Sequence, residues 1–80
     1  MNNHWRELTS EILCEQVGPV AEIIIDDALD KMDIKQQQMK FSRDYLAFIK
    51  SLYKELPTDI NRKQLCERLW SAMVDNKMFL

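Results

Sequence analysis

The most apolar run of the chain, Val17-Gly18-Pro19-Val20-Ala21-Glu22-Ile23-Ile24-Ile25-Asp26-Asp27-Ala28-Leu29, sits in an otherwise polar sequence. On a wheel of about 100° per residue, Val20, Ala21, Ile23, Ile24, Ile25, Ala28 and Leu29 cover more than half the circumference, wider than a surface helix needs. The pattern predicts a central helix over about 19–32, covered from several sides. Ahead of it, Trp5, Leu8, Ile12 and Leu13 fall on one side while Arg6, Glu7, Glu11 and Glu15 face away, which predicts a first helix over about 5–16. Gly18-Pro19 separates the two. Glycine takes the left-handed conformation that closes a helix, and proline suits the first turn of the next because its missing N–H is unsatisfied there anyway.

Beyond residue 32 the pattern turns polar, Asp33-Ile34-Lys35-Gln36-Gln37-Gln38-Met39-Lys40, and reads as a connector over 33–40. A third helix follows over about 43–56. Ser42 is its candidate N-cap, Phe41 and Leu46 a candidate hydrophobic staple, and Asp44 in the first turn suits the helix dipole. Tyr45, Leu46, Phe48, Ile49, Leu52, Tyr53 and Leu56 form its apolar face opposite Arg43, Lys50 and Lys54, and Pro57 disfavours helical geometry at Leu56. A fourth helix over about 59–76, capped by Thr58 or Asp59, turns Leu65, Cys66, Leu69, Trp70, Met73 and Val74 inward. Lys63, Gln64, Glu67, Arg68, Ser71 and Asp75 face mostly outward, and the tail over 76–80 frays or folds back. The expected fold is all-α, a compact bundle of four short helices in one domain over 1–80.

Composition changes this picture little. Apolar residues make up 46% and charged residues 30%, the balance of a soluble globular domain, and a single Gly with two Pro leaves little room for hairpins. A core of this size yields only a few kcal/mol of net stability, on the order of 3 to 5, which self-association as a homodimer would raise. The N-terminus lacks a basic segment followed by an apolar run, and no apolar segment approaches the roughly 20 residues of a membrane span, so the cytoplasm is the expected location. Charge is more informative. The net value is −2, but residues 1–40 carry four Lys/Arg against eight Asp/Glu while residues 41–80 carry seven against five. Such halves favour packing against each other, or against a second copy, over binding nucleic acid.

Candidate chemistry is sparse. Catalysis by a thiol needs a base within reach, and the only histidine, His4, lies near a terminus, while Cys14 and Cys66 read as two small core side chains. No enzymatic activity, cofactor or metal is expected; one His and two isolated Cys lack the spacing of a zinc site. Glu22, Asp26 and Asp30 recur every four residues and line one strip of the second helix, a solvated strip suited to a basic partner. Asp27 lies nearer the apolar arc, where burial would require a hydrogen-bonding partner. Arg62, Lys63 and Arg68 raise DNA binding through the last helix as an alternative. They point in different directions on a negatively charged chain, so nucleic acid is not the expected partner, and no helix has the dense basic face of a membrane-surface binder. The seven aromatic residues exceed what 80 residues can cover. Trp5, Tyr53, Trp70 and Met73 are the candidate apolar anchors of an interface, with Glu22, Asp26, Arg62 and Lys63 as rim charges.

Val17-Gly18-Pro19-Val20-Ala21 before the apolar helix, Ser42 opening a helix that ends Lys54-Glu55-Leu56-Pro57, and Arg62 and Leu65 in a last short helix form one constellation. Over roughly residues 8 to 70 it resembles the small uncharacterised helical domain appended to bacterial serine/threonine kinases and other signalling proteins. The resemblance implies a helical bundle with an adaptor association in bacterial signal transduction, a signalling protein as partner, and no catalytic residues. The polar insert at Asp33 to Lys40 and the aromatic last helix depart from that pattern and leave the partner open.

Overall fold

The computed structural model describes residues 4–33 and 39–76; the predicted tail at 77–80 and most of the predicted connector, 34–38, lie outside the described residues. The helices are α1 (His4–Val17), α2 (Ala21–Met32), α3 (Ser42–Glu55) and α4 (Arg62–Asp75), with no strand among the described residues. A 3-10 turn, Gly18–Val20, joins α1 to α2 without interruption. Counted as continuous helical runs there are therefore three, over 4–32, 42–55 and 62–75, where four separate helices were expected.

The bend within the first run is set by Gly18, whose φ of 71° lies in the left-handed region. An added Cβ there would meet nothing within 4 Å, so it is backbone conformation, not crowding, that favours glycine. Asp33 closes α2 in the same region, at φ 57°, with its N–H on the Asp30 carbonyl at 3.1 Å. Asp tolerates that conformation better than most residues.

Two predicted caps move. The Asp44 carboxylate accepts from the backbone N–H of Phe41 at 3.0 Å and of Lys40 at 3.2 Å, so Phe41 is the N-cap of α3 and Ser42 its first helical residue. This shift also places Phe41 outside the position that the staple with Leu46 requires, and both side chains are exposed. At α4, Asn61 and not Thr58 or Asp59 is the cap: its side-chain oxygen accepts from Gln64 N–H at 3.0 Å. Pro57 does stop α3, with Leu56 extended at ψ 148°.

Consecutive helices pack on one another, and α4 closes the ring by packing on α1. The helix the core is built on is α3, because Tyr45, Phe48 and Leu52 are fully buried. Apolar side chains of that size contribute roughly 1.5–3 kcal/mol each when taken out of water. Trp5 meets Phe48 and Tyr45 edge-on, with ring centroids 5.3 and 6.1 Å apart. The hydroxyls of Thr9 and Tyr45 share a hydrogen bond of 2.7 Å inside this cluster and fix the register of α1 on α3. Burial pushes the Tyr45 phenol well above its usual range.

The apolar run in α2 buries less than its wheel predicts. Ala21, Ile24, Ile25, Ala28 and Leu29 are inside, but Ile23 is 60% exposed, Val20 is exposed too, and Asp27 lies at the surface. α2 is therefore covered on one broad side only, by α1 and α3.

Candidate functional site

Along one edge α3 and α4 do not close on each other, leaving an open groove of about 600 Å³. Leu46, Ile49 and Tyr53 line it from α3, and Lys63, Cys66, Glu67, Trp70 and Ser71 from α4. Helical spacing explains the opening. Leu46 and Tyr53 lie two turns apart, just outside the stripe of Tyr45, Phe48 and Leu52, and Cys66 and Trp70 lie just outside the buried Leu65, Leu69 and Met73. Each helix carries an apolar sector wider than the seam between them, so its outer edge stays in water. Leu46 is 42% and Tyr53 39% exposed, and Val74, predicted to face inward, is 56% exposed one turn beyond Trp70.

Charge borders this groove. Lys50 lies one turn from both Leu46 and Tyr53 on α3 and is exposed, and Lys54 follows Lys50 by one turn on the outer face. Lys63 and Glu67 stand on the α4 wall. The Arg62 guanidinium stacks over Tyr53, 4.4 Å from its centroid, and donates to the Tyr53 carbonyl at 3.4 Å. It thereby fixes that ring at one end of the groove. Arg43 lies over Phe41 at 5.0 Å.

The predicted interface residues separate accordingly. Tyr53, Trp70 and Lys63 line the groove, and Arg62 orders its end. Trp5, at 3% exposure, and Met73 are core side chains and offer nothing to a partner, because the bundle closes over both. Glu22 and Asp26 lie on the α1–α2 seam, where Arg6 of the same chain is their basic partner. Its Nη2 donates to Glu22 Oε1 at 2.7 Å and to Asp26 Oδ1 at 2.9 Å. Hydrogen bonds from Ser10 and Arg6 hold the Glu22 carboxyl below its usual value. Burial opposes the Arg6 charge, but Glu22 and Asp26 outweigh it and keep the guanidinium pKa raised.

A second depression lies beside α4, between Gln16 on one side and Asn61, Gln64 and Arg68 on the other. Arg68 Nη2 there donates to both oxygens of Glu15, at 2.8 and 2.9 Å. This is the one ion pair among the described residues that joins the acidic half to the basic half as the charge asymmetry predicts.

The cysteines differ. Cys14, expected in the core, is exposed and donates its thiol to the Gly18 carbonyl at 3.3 Å, about 15 Å along α1 from His4. Cys66 is half-buried in the groove, where burial pushes its thiol pKa up and Arg62 opposes the rise only in part. Among the described residues no three His, Cys, Asp or Glu side chains gather as a metal site. No helix among them is long and apolar enough to cross a membrane.

Leu46 and Ile49 also line the groove, although the chain's pattern does not single them out as site residues. A finer signal is present: an apolar pair spaced by seven, with a cation one turn from each, marks the edge of a buried face, not its centre.

A family model described as a domain of unknown function (DUF8082) matches residues 4–78, nearly the whole chain. No curated protein and no solved structure matches the chain.

Proposed function

The chain belongs to the DUF8082 family of domains of unknown function, and from that premise we propose that it is a non-catalytic protein-interaction module that docks a helical segment of another protein in the α3–α4 groove. The observation that carries this reading is the exposure of Leu46, Tyr53 and Val74 around a half-buried Trp70. Aromatic anchors in a concave apolar site with a polar rim are the usual centre of a protein interface. An amphipathic helix fills such a groove with side chains at i, i+3 or i+4, and i+7. The setting in bacterial signal transduction, with the module as an adaptor, rests on the resemblance to kinase-appended domains alone. The basic residues of α4 support the DNA reading less well, because Arg62 is stacked on Tyr53 and Arg68 is held by Glu15.

The test compares what the immobilised wild-type protein and a folded Trp70→Ala variant retain from source-cell lysate. A protein held near stoichiometrically by the first and lost by the second is the expected result. Identical retention by both, or nucleic acid alone released at moderate salt, overturns the reading.

A further inference from the structure

The rim of the groove adds to the docking reading, on which the following inference rests. Lys63 lines the groove beside Glu67, the one acidic side chain of its lining, while the exposed Lys50 flanks Leu46 and Tyr53 by helical spacing with Lys54 one turn further along; none of these three lysines has a carboxylate partner among the described residues. Elsewhere Arg6, Lys31 and Arg68 each hold one, Lys31 on Glu55 at 3.0 Å. This cationic rim occurs on a chain of net charge −2, so it is a local concentration against the overall sign. The spacing is also specific: Leu46 to Tyr53 spans about 10 Å along the helix, and Lys50 to Lys54 about 6 Å.

We propose that the segment docked in the groove is an acidic amphipathic helix of another protein. Its apolar side chains, spaced over two turns, lie on Leu46, Tyr53 and Trp70, while Glu or Asp residues one turn apart meet Lys50 and Lys54 on one side and Lys63 on the other. The concavity fits a rod better than a flat lipid surface. A second copy offers a poorer match. Ile23 on α2 stands among Glu22, Asp26, Asp27 and Asp30, but Glu22 and Asp26 are already engaged with Arg6.

The experiment titrates the full chain by calorimetry with three helical peptides that share one leucine face and carry Glu, Gln or Lys beside it. Pairs at Lys50, Lys54 and Lys63 make the Glu peptide roughly tenfold tighter than the Gln peptide at low salt. That advantage shrinks as salt rises and inverts in a Lys50→Glu/Lys54→Glu variant. Both side chains are exposed, so the variant keeps the wild-type circular dichroism. Equal affinity for the Glu and Gln peptides overturns the acidic partner and leaves helix docking standing. Failure of all three peptides overturns it as well, and lysate retention by wild-type but not Trp70→Ala protein then decides whether docking survives. Two further results overturn it in favour of another occupant. One is binding to phosphatidylserine vesicles, without peptide binding, that the double variant abolishes. The other is a concentration-dependent dimer that the same variant dissolves.

Discussion

The two long edges of α3 have opposite fates. Toward α2 and α1 the helix is engaged: Ser51 Oγ donates to the Ala28 carbonyl at 3.0 Å, Lys31 meets Glu55, and Tyr45 and Phe48 pack on Trp5 of α1. Toward α4 the deep residues are equally buried, yet Leu46 and Tyr53 remain in water and the neighbouring cations have no carboxylate. One helix thus carries the fold on one edge and an unsatisfied surface on the other. The lesson is that core and surface apolar side chains are separated even within three residues of sequence, as at Phe48 and Leu46.

Four substitutions test that separation. Phe48→Ala removes a fully buried ring that touches Trp5 and Tyr45 and should cost about 3–5 kcal/mol. That is comparable with the whole stability expected of a domain this small, so the variant should be largely unfolded in a urea titration. Survival with near-wild-type stability would mean that the α3 edge toward α2 is not where the fold is held.

Tyr45→Phe leaves the buried Thr9 hydroxyl without its partner and should cost about 1–3 kcal/mol. It also changes the alkaline limb. The folded phenol keeps its proton above its ordinary value of 10.0 while the unfolded one loses it, so wild-type stability falls as pH rises past that point. The Phe variant should show a shallower fall; the part due to Cys66, whose half-buried thiol is raised from 9.0, stays.

Leu46→Ser, two residues from Phe48 but on the open edge, should shift stability by about 1 kcal/mol or less while weakening partner retention. A large loss of stability would erase the distinction between the two edges.

The ion pairs of Arg6 contribute least, at about 0.2–1 kcal/mol, because Glu22 and Asp26 are more than half exposed, and Arg6→Ala also removes the packing of a side chain that is itself only 18% exposed. Glu22 is more acidic when folded than its ordinary 4.5, so its contribution is full above that pH and disappears as pH falls through the folded value. Removing Arg6 should make the acid limb of a thermal-melting series shallower, with the Ser10 hydrogen bond preserving part of it.

Much of the helical plan is legible from the chain. Trp5, Leu8 and Ile12 lie on the inner side of α1, Gly18 is left-handed as the Gly-Pro pair implies, and Pro57 stops α3. The caps were harder, because Ser42, Asp44, Thr58, Asp59 and Asn61 are all competent, and the path of the approaching chain chooses among them. The wheel overstates burial within α2, since three consecutive isoleucines cannot all face one core; Ile23 is the one left outside. The site was half legible. Two large aromatic residues at helical spacing, Trp5 and Trp70, look alike in sequence, but Trp5 is hidden against Tyr45 and Phe48 while the open α3–α4 edge leaves Trp70 half-buried. Glu22 and Asp26 looked available because their partner, Arg6, sits on another helix.

That unequal treatment of the two indoles gives the molecule a built-in pair of optical reporters. Trp5, enclosed by Tyr45 and Phe48, should emit to the blue and resist acrylamide until the chain unfolds. Trp70, half in water on the groove wall, should emit further to the red and be quenched readily until something lies over it. A Trp5→Phe or Trp70→Phe chain would leave one lamp at a time, so that denaturation and complex formation can be followed by light without attaching any dye.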